Sequence, residues 1–426
     1  MIRPTPLWRL VAVAGAASLV LAACGGDDDD TAATDTETAE TEETEEAAAA
    51  EGDGTLTLGT LLPETGNLAF LGPPEFAGVN LAVQEINEAG GVNGTEVAKF
   101  DSDSGDTTTD IASQSVQRLL GQNVDAIIGA ASSGVSFNVI DTITNAGVVH
   151  FSPANTSPDF TDYDDNGLYF RTSPSDVLQG RVLGDLILND GNAALGVLAL
   201  DDPYGAGLAE NVTASFEGGG GEVVSSLSFA PGAGSFTAEV PEILAADPDA
   251  IALIAFDETK AALQELETQG FDLSKVYFVD GNLSDYSADP EFPSVEGAKG
   301  TLPGAQAPDE FRQRLLEVDP ELTDYSYSAE SYDAAILIAL AAVAAGDDSG
   351  QAIASELINV SKEGTKCTTF AECVEFLDAG EDIDYDGVSG PIEFSDAGDP
   401  TVATIGIYQY QADNTIEFVE GLEGEV

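Results

Sequence analysis

From Leu56 onward, short apolar runs alternate with longer stretches in which apolar residues return at helical spacing. The first pattern fits buried strands and the second fits helices with one covered face. Residues 55–62 predict a strand. Phe76, Val79, Val83 and Ile86 predict a helix over 74–89 that stops at Gly90-Gly91. A strand at 96–101, a helix at 108–120, a strand at 125–129, a helix at 136–145 and a strand at 148–151 follow. The rhythm restarts with strands at 195–200, 222–226, 250–255 and 275–278, separated by helices at 207–216, 237–245 and 259–269. A third block holds an alanine-rich helix at 328–345 and a shorter one at 351–360, and the tail returns to strands at 391–394 and 404–411. Repeated strand–helix–strand units imply parallel sheets with helices on both faces. The predicted fold class is α/β, with two doubly wound, Rossmann-like lobes between which the chain passes more than once. No repeat of solenoid length is present.

The N-terminal segment differs from this body. Arg3 and Arg9 introduce an apolar run over 10–21 that is too short to span a bilayer by itself. It ends in Leu21-Ala22-Ala23-Cys24, which resembles the lipobox of bacterial lipoproteins. Cleavage there would remove residues 1–23 and leave Cys24 as the site of lipidation, and several acyl chains on one cysteine anchor a protein durably. An ordinary secretory signal with a chance cysteine is the alternative. Either way the protein is exported, and the lipobox reading anchors it to the cell membrane. Residues 24–54 then form an acidic Asp/Glu/Thr/Ala segment that buries too little apolar surface to order itself. About 28 such residues reach roughly 30 Å as a flexible coil, enough for a tether.

Charge narrows the partners. The chain carries 77 acids and 13 bases. Setting aside the 13 acids of residues 27–53 and the two leader arginines leaves 64 acids against 11 bases in the body. Such a surface repels nucleic acid and anionic lipid, and it weighs somewhat against an anionic small ligand. Its origin is either adaptation to a saline setting, where screening weakens self-repulsion, or a lineage habit unrelated to the ligand. Besides Cys24 there are two cysteines, Cys367 and Cys373. In an oxidising compartment this close pair favours a small-loop disulfide over two isolated thiols. Without nearby histidines it makes half a metal site at most.

No catalytic constellation stands out. The single histidine, His150, lies in the apolar strand Val148-Val149-His150-Phe151 and cannot build a cluster. Gly205-Ala206-Gly207 follows a strand, but Glu210 occupies the third glycine position of a dinucleotide fingerprint. Ser132-Ser133 lies after a strand, yet its flanks Ala130-Ala131 and Gly134 do not match a nucleophile elbow. No cofactor and no metal are implied. What remains is strand-end loops that feed helix N-termini, where ligands of open α/β sheets bind. Ala131-Ser132-Ser133-Gly134 and Ser152-Pro153-Ala154-Asn155-Thr156 offer hydroxyls and free N–H groups to a carboxylate. In the second lobe, Tyr204 and Asp280 occupy strand-end loops and offer a phenol and a carboxylate. Closed together, the two sets fit a zwitterion. Each residue also has a purely structural role open to it: Ser133 as a helix cap, Tyr204 as packing, Asp280 as part of a turn.

These residues stand in an order that resembles type I periplasmic solute-binding proteins of the leucine/isoleucine/valine-binding class. The run from Gly59 through Pro63-Glu64-Thr65-Gly66, the run from Leu81 through Glu85-Ile86-Asn87 to Gly90-Gly91-Val92-Asn93-Gly94, Ser152 to Thr156, Asp202-Pro203-Tyr204-Gly205 and Tyr385 to Phe394 carry the resemblance. It spans residues 55–418. The resemblance implies two lobes joined by three hinge crossovers, residues 55–173 and 304–392 in the first and 174–303 and 393–426 in the second. It also implies a monomer that closes on a small-molecule ligand and presents it to an ABC permease. Carried over by position, Ser133, Ala154 and Thr156 hold the ligand carboxylate, while Tyr204 and Asp280 face its ammonium group. The family more often has Glu where Asp280 stands, so the carboxylate here is shorter. Leu71 and Phe256 fall near positions that touch the ligand side chain, and both are apolar. A branched-chain or similar amino acid is the expected ligand. The alternatives are an amide, urea or aromatic acid bound for an importer, a sensory subunit for a membrane receptor, and, last, an enzyme.

Overall fold

The computed structural model describes residues 52–426, so the leader, Cys24 and most of the acidic segment lie outside the described residues. The first sheet contains β1 (Thr57–Leu62), β2 (Ala98–Asp103), β3 (Ala126–Gly129), β4 (Val149–Ser152) and β5 (Tyr169–Arg171), all parallel, in the order β2-β1-β3-β4-β5. Strands β1, β3, β4 and β5 are covered on both faces and buried throughout, whereas the edge strand β2 is polar and partly exposed. The side chains still alternate. Leu58, Leu62, Ala126 and Ile128 join the core beneath α1 (Gly72–Glu88), whereas Leu61 and Ile127 face α2 (Ile111–Leu120) and α3 (Ser133–Thr144).

The second sheet is mixed. Its parallel part is β6 (Ala194–Leu200), β7 (Glu222–Phe229), β8 (Ala250–Ile254), β9 (Val276–Phe278) and β10 (Lys299–Pro303). Helices α4 (Asp176–Asn189), α5 (Pro203–Gly218), α6 (Glu239–Leu244) and α7 (Thr259–Thr268) belong to this half. The chain then returns through α8 (Asp309–Val318), α9 (Ser328–Ala345) and α10 (Gly350–Leu357), with a two-stranded parallel sheet of β11 (Thr365–Cys367) and β12 (Ile383–Tyr385) flanking α11 (Phe370–Asp378). Finally β13 (Val402–Tyr410) and β14 (Ile416–Glu425) add antiparallel strands, giving the order β14-β13-β10-β9-β8-β6-β7. The chain therefore passes between the two sheets three times: after β5, after β10 and after β12.

Helix α9 is long and apolar enough to cross a membrane by composition, yet it is buried from Ser328 to Ala342 against α1, α10 and α11. Its alanines let neighbouring helices approach closely; it is a core helix. Cys367 and Cys373 form a disulfide with an S–S distance of 2.07 Å, tying β11 to α11. At the entry to the body, the N–H groups of Gly52 and Gly54 donate to Asp347 and Asp348 at 3.3 and 3.2 Å, fastening residues 52–54 beside the end of α9.

Several elements differ from the sequence expectation. Residues 391–394 are not a strand. Ile392 and Phe394 are buried in alternation, but the segment makes isolated bridges, at Asp386–Pro391 and Phe394–Pro400, because it runs between the sheets. Helix α3 begins at Ser133 rather than 136, and α5 at Pro203 rather than 207, since Ser132 and Asp202 cap them. Strands β5, β10 and β14, helices α4, α8 and α11, and the small β11–β12 sheet were not anticipated.

One buried ion pair holds the first sheet to the third crossover. Arg171, wholly buried at the end of β5, donates Nε to Asp399 Oδ1 at 2.6 Å, and Thr161 donates to the other oxygen at 2.6 Å. Its Nη1 donates to the carbonyls of Asn155 and Ser157 at 3.2 and 2.8 Å. Removing one member of such a pair strands the other charge, so Arg171→Met is expected to lower the unfolding free energy by about 3–5 kcal/mol. Urea titration of the variant beside the parent measures this, and an unchanged midpoint would refute it.

Candidate functional site

The strand order reverses between β1 and β3 in the first sheet and between β6 and β8 in the second, and ligands of open sheets sit at the carboxyl ends flanking such points. Both switch points open onto one crevice that is nearly closed, with a cavity volume of about 10 Å³. From the first sheet come Leu68 and Leu71 after β1, Ala131, Ser132 and Ser133 after β3, and Ala154 after β4. From the second come Tyr204 after β6, Phe256 after β8, and Asp280 and Gly281 after β9. Tyr327, just before α9, completes the wall.

The halves touch. Ser157 Oγ donates to the Pro203 carbonyl at 3.1 Å, and a Cβ placed on Gly207 would lie 2.6 Å from Pro158 Cδ. Gly281 is equally constrained: a Cβ there would meet Phe256 Cδ1 at 2.8 Å. Its absence lets Phe256 lie flat against Tyr204, ring centroids 5.4 Å apart.

Asp280 is the best-held group in the crevice. Tyr204 Oη and Gln179 Nε2 donate to its Oδ1 at 2.7 and 3.0 Å, and Tyr327 Oη donates to its Oδ2 at 2.7 Å. Burial pushes its carboxyl above the ordinary range, and these donors pull it partly back. Burial, reinforced by the charge of Asp280, pushes both phenols well up, so they remain donors. On the opposite wall Ser133 is buried; its Oγ accepts the Ser157 N–H at 3.3 Å, and its own proton has no acceptor among the described residues. The α3 cap is Ser132, not Ser133.

Six sequence-predicted residues thus share the crevice: Leu71, Ser133, Ala154, Tyr204, Phe256 and Asp280. Two details differ from expectation. The Ala154 N–H already donates to Ser152 Oγ at 3.3 Å. Thr156 is not on the wall; the bonds from Arg171 turn the loop so that the Thr156 carbonyl accepts the Asp176 N–H at 2.7 Å and its hydroxyl lies beside the Asp176 side chain.

Residues 55–415 match the model of the periplasmic binding protein family. The chain belongs to that family. This binding protein is 26% identical to the chemotactic signal transduction system substrate-binding protein BasB of Halobacterium salinarum over 81% of its own length and 84% of the relative's. It is 26% identical to the Leu/Ile/Val-binding protein homolog 1 of Brucella suis over 85% and 93% of the two chains. It also shares its fold with the substrate-binding protein LivJ of Streptococcus pneumoniae, solved with isoleucine, at a TM-score of 0.70, 21% identity, and coverage of 87% and 100%. It is therefore an extracytoplasmic solute-binding protein and not an enzyme.

Sequence reading missed Tyr327 and Gln179 in this binding protein. Gln179 lies on the unanticipated α4, although Ser175 followed by Leu178, Val182, Leu183 and Ile187 carries a cap and a helical spacing. Tyr327 has no local signal; it adopts a left-handed backbone (φ 57°) and is brought in by the third block of the chain.

The interface between the halves is acidic. Asp202 caps α5 by accepting the Gly205 N–H at 2.8 Å, while its buried Oδ2 lies unpartnered across from Gly134. Burial, then the charge of Glu258, raises its carboxyl to about 6. A raised carboxyl means the folded state holds a proton that the unfolded chain has lost, so stability falls as pH rises from about 4 to 6. Asp202→Asn keeps the cap and removes the charge. It is expected to gain about 1–2 kcal/mol at pH 7.5, after allowance for partial exposure, and almost nothing at pH 4. Thermal melts at the two pH values check the difference.

Proposed function

We propose that this protein, anchored through Cys24 and carried on an acidic tether, captures a branched-chain or related amino acid and delivers it to an ABC permease. The lobes in this reading are residues 55–173 with 304–392 and residues 174–303 with 393–426. The observation that carries it is the pairing, across one small crevice, of a free serine hydroxyl with a carboxylate held by two phenols. Ser133, beside the loop that carries Ala154, receives the ligand carboxylate, and Thr156 acts behind that loop. Asp280 and Tyr204 receive the ammonium group. Leu71 and Phe256, with Leu68, enclose an apolar side chain. The name of the Brucella relative supports the same ligand class. Contact of both halves with one guest stabilises the closed state by the guest's greater affinity for it.

Isothermal titration with leucine, isoleucine and valine tests the ligand. Binding of at least one is expected, and no heat and no thermal shift with any of them would refute the reading. Hydrogen bonds to charged groups contribute about 1.5–3 kcal/mol, so Ser133→Ala and Asp280→Ala are each expected to weaken binding by about tenfold to a hundredfold. Should the ligand be an aromatic acid or a neutral amide instead, Asp280→Ala would leave its affinity nearly unchanged. Cys24→Ser is expected to shift the protein from the membrane fraction to the soluble one.

A sensory role is the second reading, favoured by the haloarchaeal relative's name as part of a chemotactic signal transduction system. Deleting the gene then abolishes attraction to the ligand while leaving its uptake intact; the transport reading expects uptake to fall.

A further inference from the structure

Asp176 opens α4, less than one helical turn before Gln179, the residue that donates to Asp280. Its side chain is wholly buried, and neither carboxyl oxygen has a hydrogen-bond partner among the described residues. Gln179 Oε1, on the same face of the helix, is also buried and unpartnered. Three acceptor atoms therefore stand unfilled beside the crevice's own carboxylate.

The charged groups facing Asp176 come from every side. They are Asp280 after β9, Arg171 at the end of β5 and Asp202 at the start of α5, with the neutral Thr156 hydroxyl beside them. Tyr204 and Tyr327 reach the cluster through Asp280. Arg171 attracts the Asp176 charge but makes no hydrogen bond to it, because its Nε is committed to Asp399 and its Nη1 to two carbonyls. Burial first, and then the charge of Asp280, pushes the Asp176 carboxyl well above the usual range. Asp280 is the like charge that acts most on Asp176, and two carboxylates sharing a dry site do not both ionise without a cation bonded to them. The two phenols and the Gln179 amide all donate to Asp280, so the shared proton resides on Asp176.

We propose that Asp176 and Asp280 form one seat that holds a proton when empty and exchanges that proton for the ammonium group of the arriving ligand. The inference rests on the reading of an ammonium-bearing ligand and deepens it: the crevice takes a cation in exchange for a cation. Asp176 is a positioning residue in this scheme, acting through Asp280. The exchange is balanced: RNH3+ enters, H+ leaves to solvent, and the pair ends with both carboxylates charged, Asp280 against the ammonium and Asp176 behind it.

Calorimetry on the full chain in detergent, with L-leucine as the probe and phosphate or Tris as the buffer, counts the protons. The expected result is release of up to one proton per leucine. Affinity should tighten with rising pH by up to about tenfold per unit while the empty pair holds its proton. Asp176→Asn is expected to bind leucine without proton release and with a flat pH profile, and 4-methylpentanoate, which is leucine without its amine, should release none. If Asp176→Asn fails to fold in a thermal melt, the proton count of the parent protein decides alone. Leucine binding with no proton exchange and a flat profile in the parent overturns this inference and leaves the amino-acid reading standing. Failure of leucine, isoleucine and valine to bind at all overturns both.

Discussion

A carboxylate kept dry between two sheets sets the terms for the rest of this molecule. Asp280 needs donors, because an unpaired buried charge is costly, and two phenols and an amide arrive from separate parts of the chain to supply them. Tyr204 comes from the start of α5, Gln179 from α4, and Tyr327 from the entry to α9. Gln179 and Tyr204 lie in the same stretch as Asp280, between the first two crossovers, whereas Tyr327 follows the second, so the carboxylate is fully satisfied only when the second half has met the α8–α9 block. The group proposed to receive the ligand's ammonium therefore also reports on the relative placement of the halves.

The opposite wall is organised differently. Its hydroxyl and N–H groups are weak donors individually, and their usefulness depends on where the loop after β4 is held. Arg171 does this from behind, binding two carbonyls of that loop and a carboxylate on the third crossover. A guanidinium suits the task because its fork of donors can be divided among several acceptors in fixed directions. One wall is thus stiffened by a buried cation and the other by a buried anion. With 11 bases available to the body, placing one where no solvent reaches it is a considerable commitment.

Much of this was legible along the chain. Strands covered on both faces, such as β1, β3 and β8, announce themselves as apolar runs, and helices ended by Gly pairs are bounded by them. Four of the crevice residues, Ser133, Ala154, Tyr204 and Asp280, could be named because strand-end loops before helices are where open sheets bind ligands, and Leu71 and Phe256 came from the family resemblance. What stayed hidden has physical reasons. Strand β10 contains Gly300 and Pro303 and is recognised by its neighbours rather than by its own residues. Strand β14 is an exposed edge whose acidic positions mask the alternation of Ile416, Phe418 and Leu422. The segment around Ile392 and Phe394 alternates like a strand yet lacks a ladder, since burial and sheet pairing are separate conditions. Tyr327 could not be found locally, because it lies 47 residues after Asp280 and beyond the second crossover.

The bare backbone of Gly207 against Pro158 has a consequence well away from the guest. At that point the halves meet with no side chain to spare, so their close approach requires a bare backbone there. A single methyl group at this contact would act as a doorstop, shifting the balance toward the gaping form without touching any atom that grips the cargo. Affinity in such a molecule can consequently be tuned from its rim, leaving the chemistry of recognition intact.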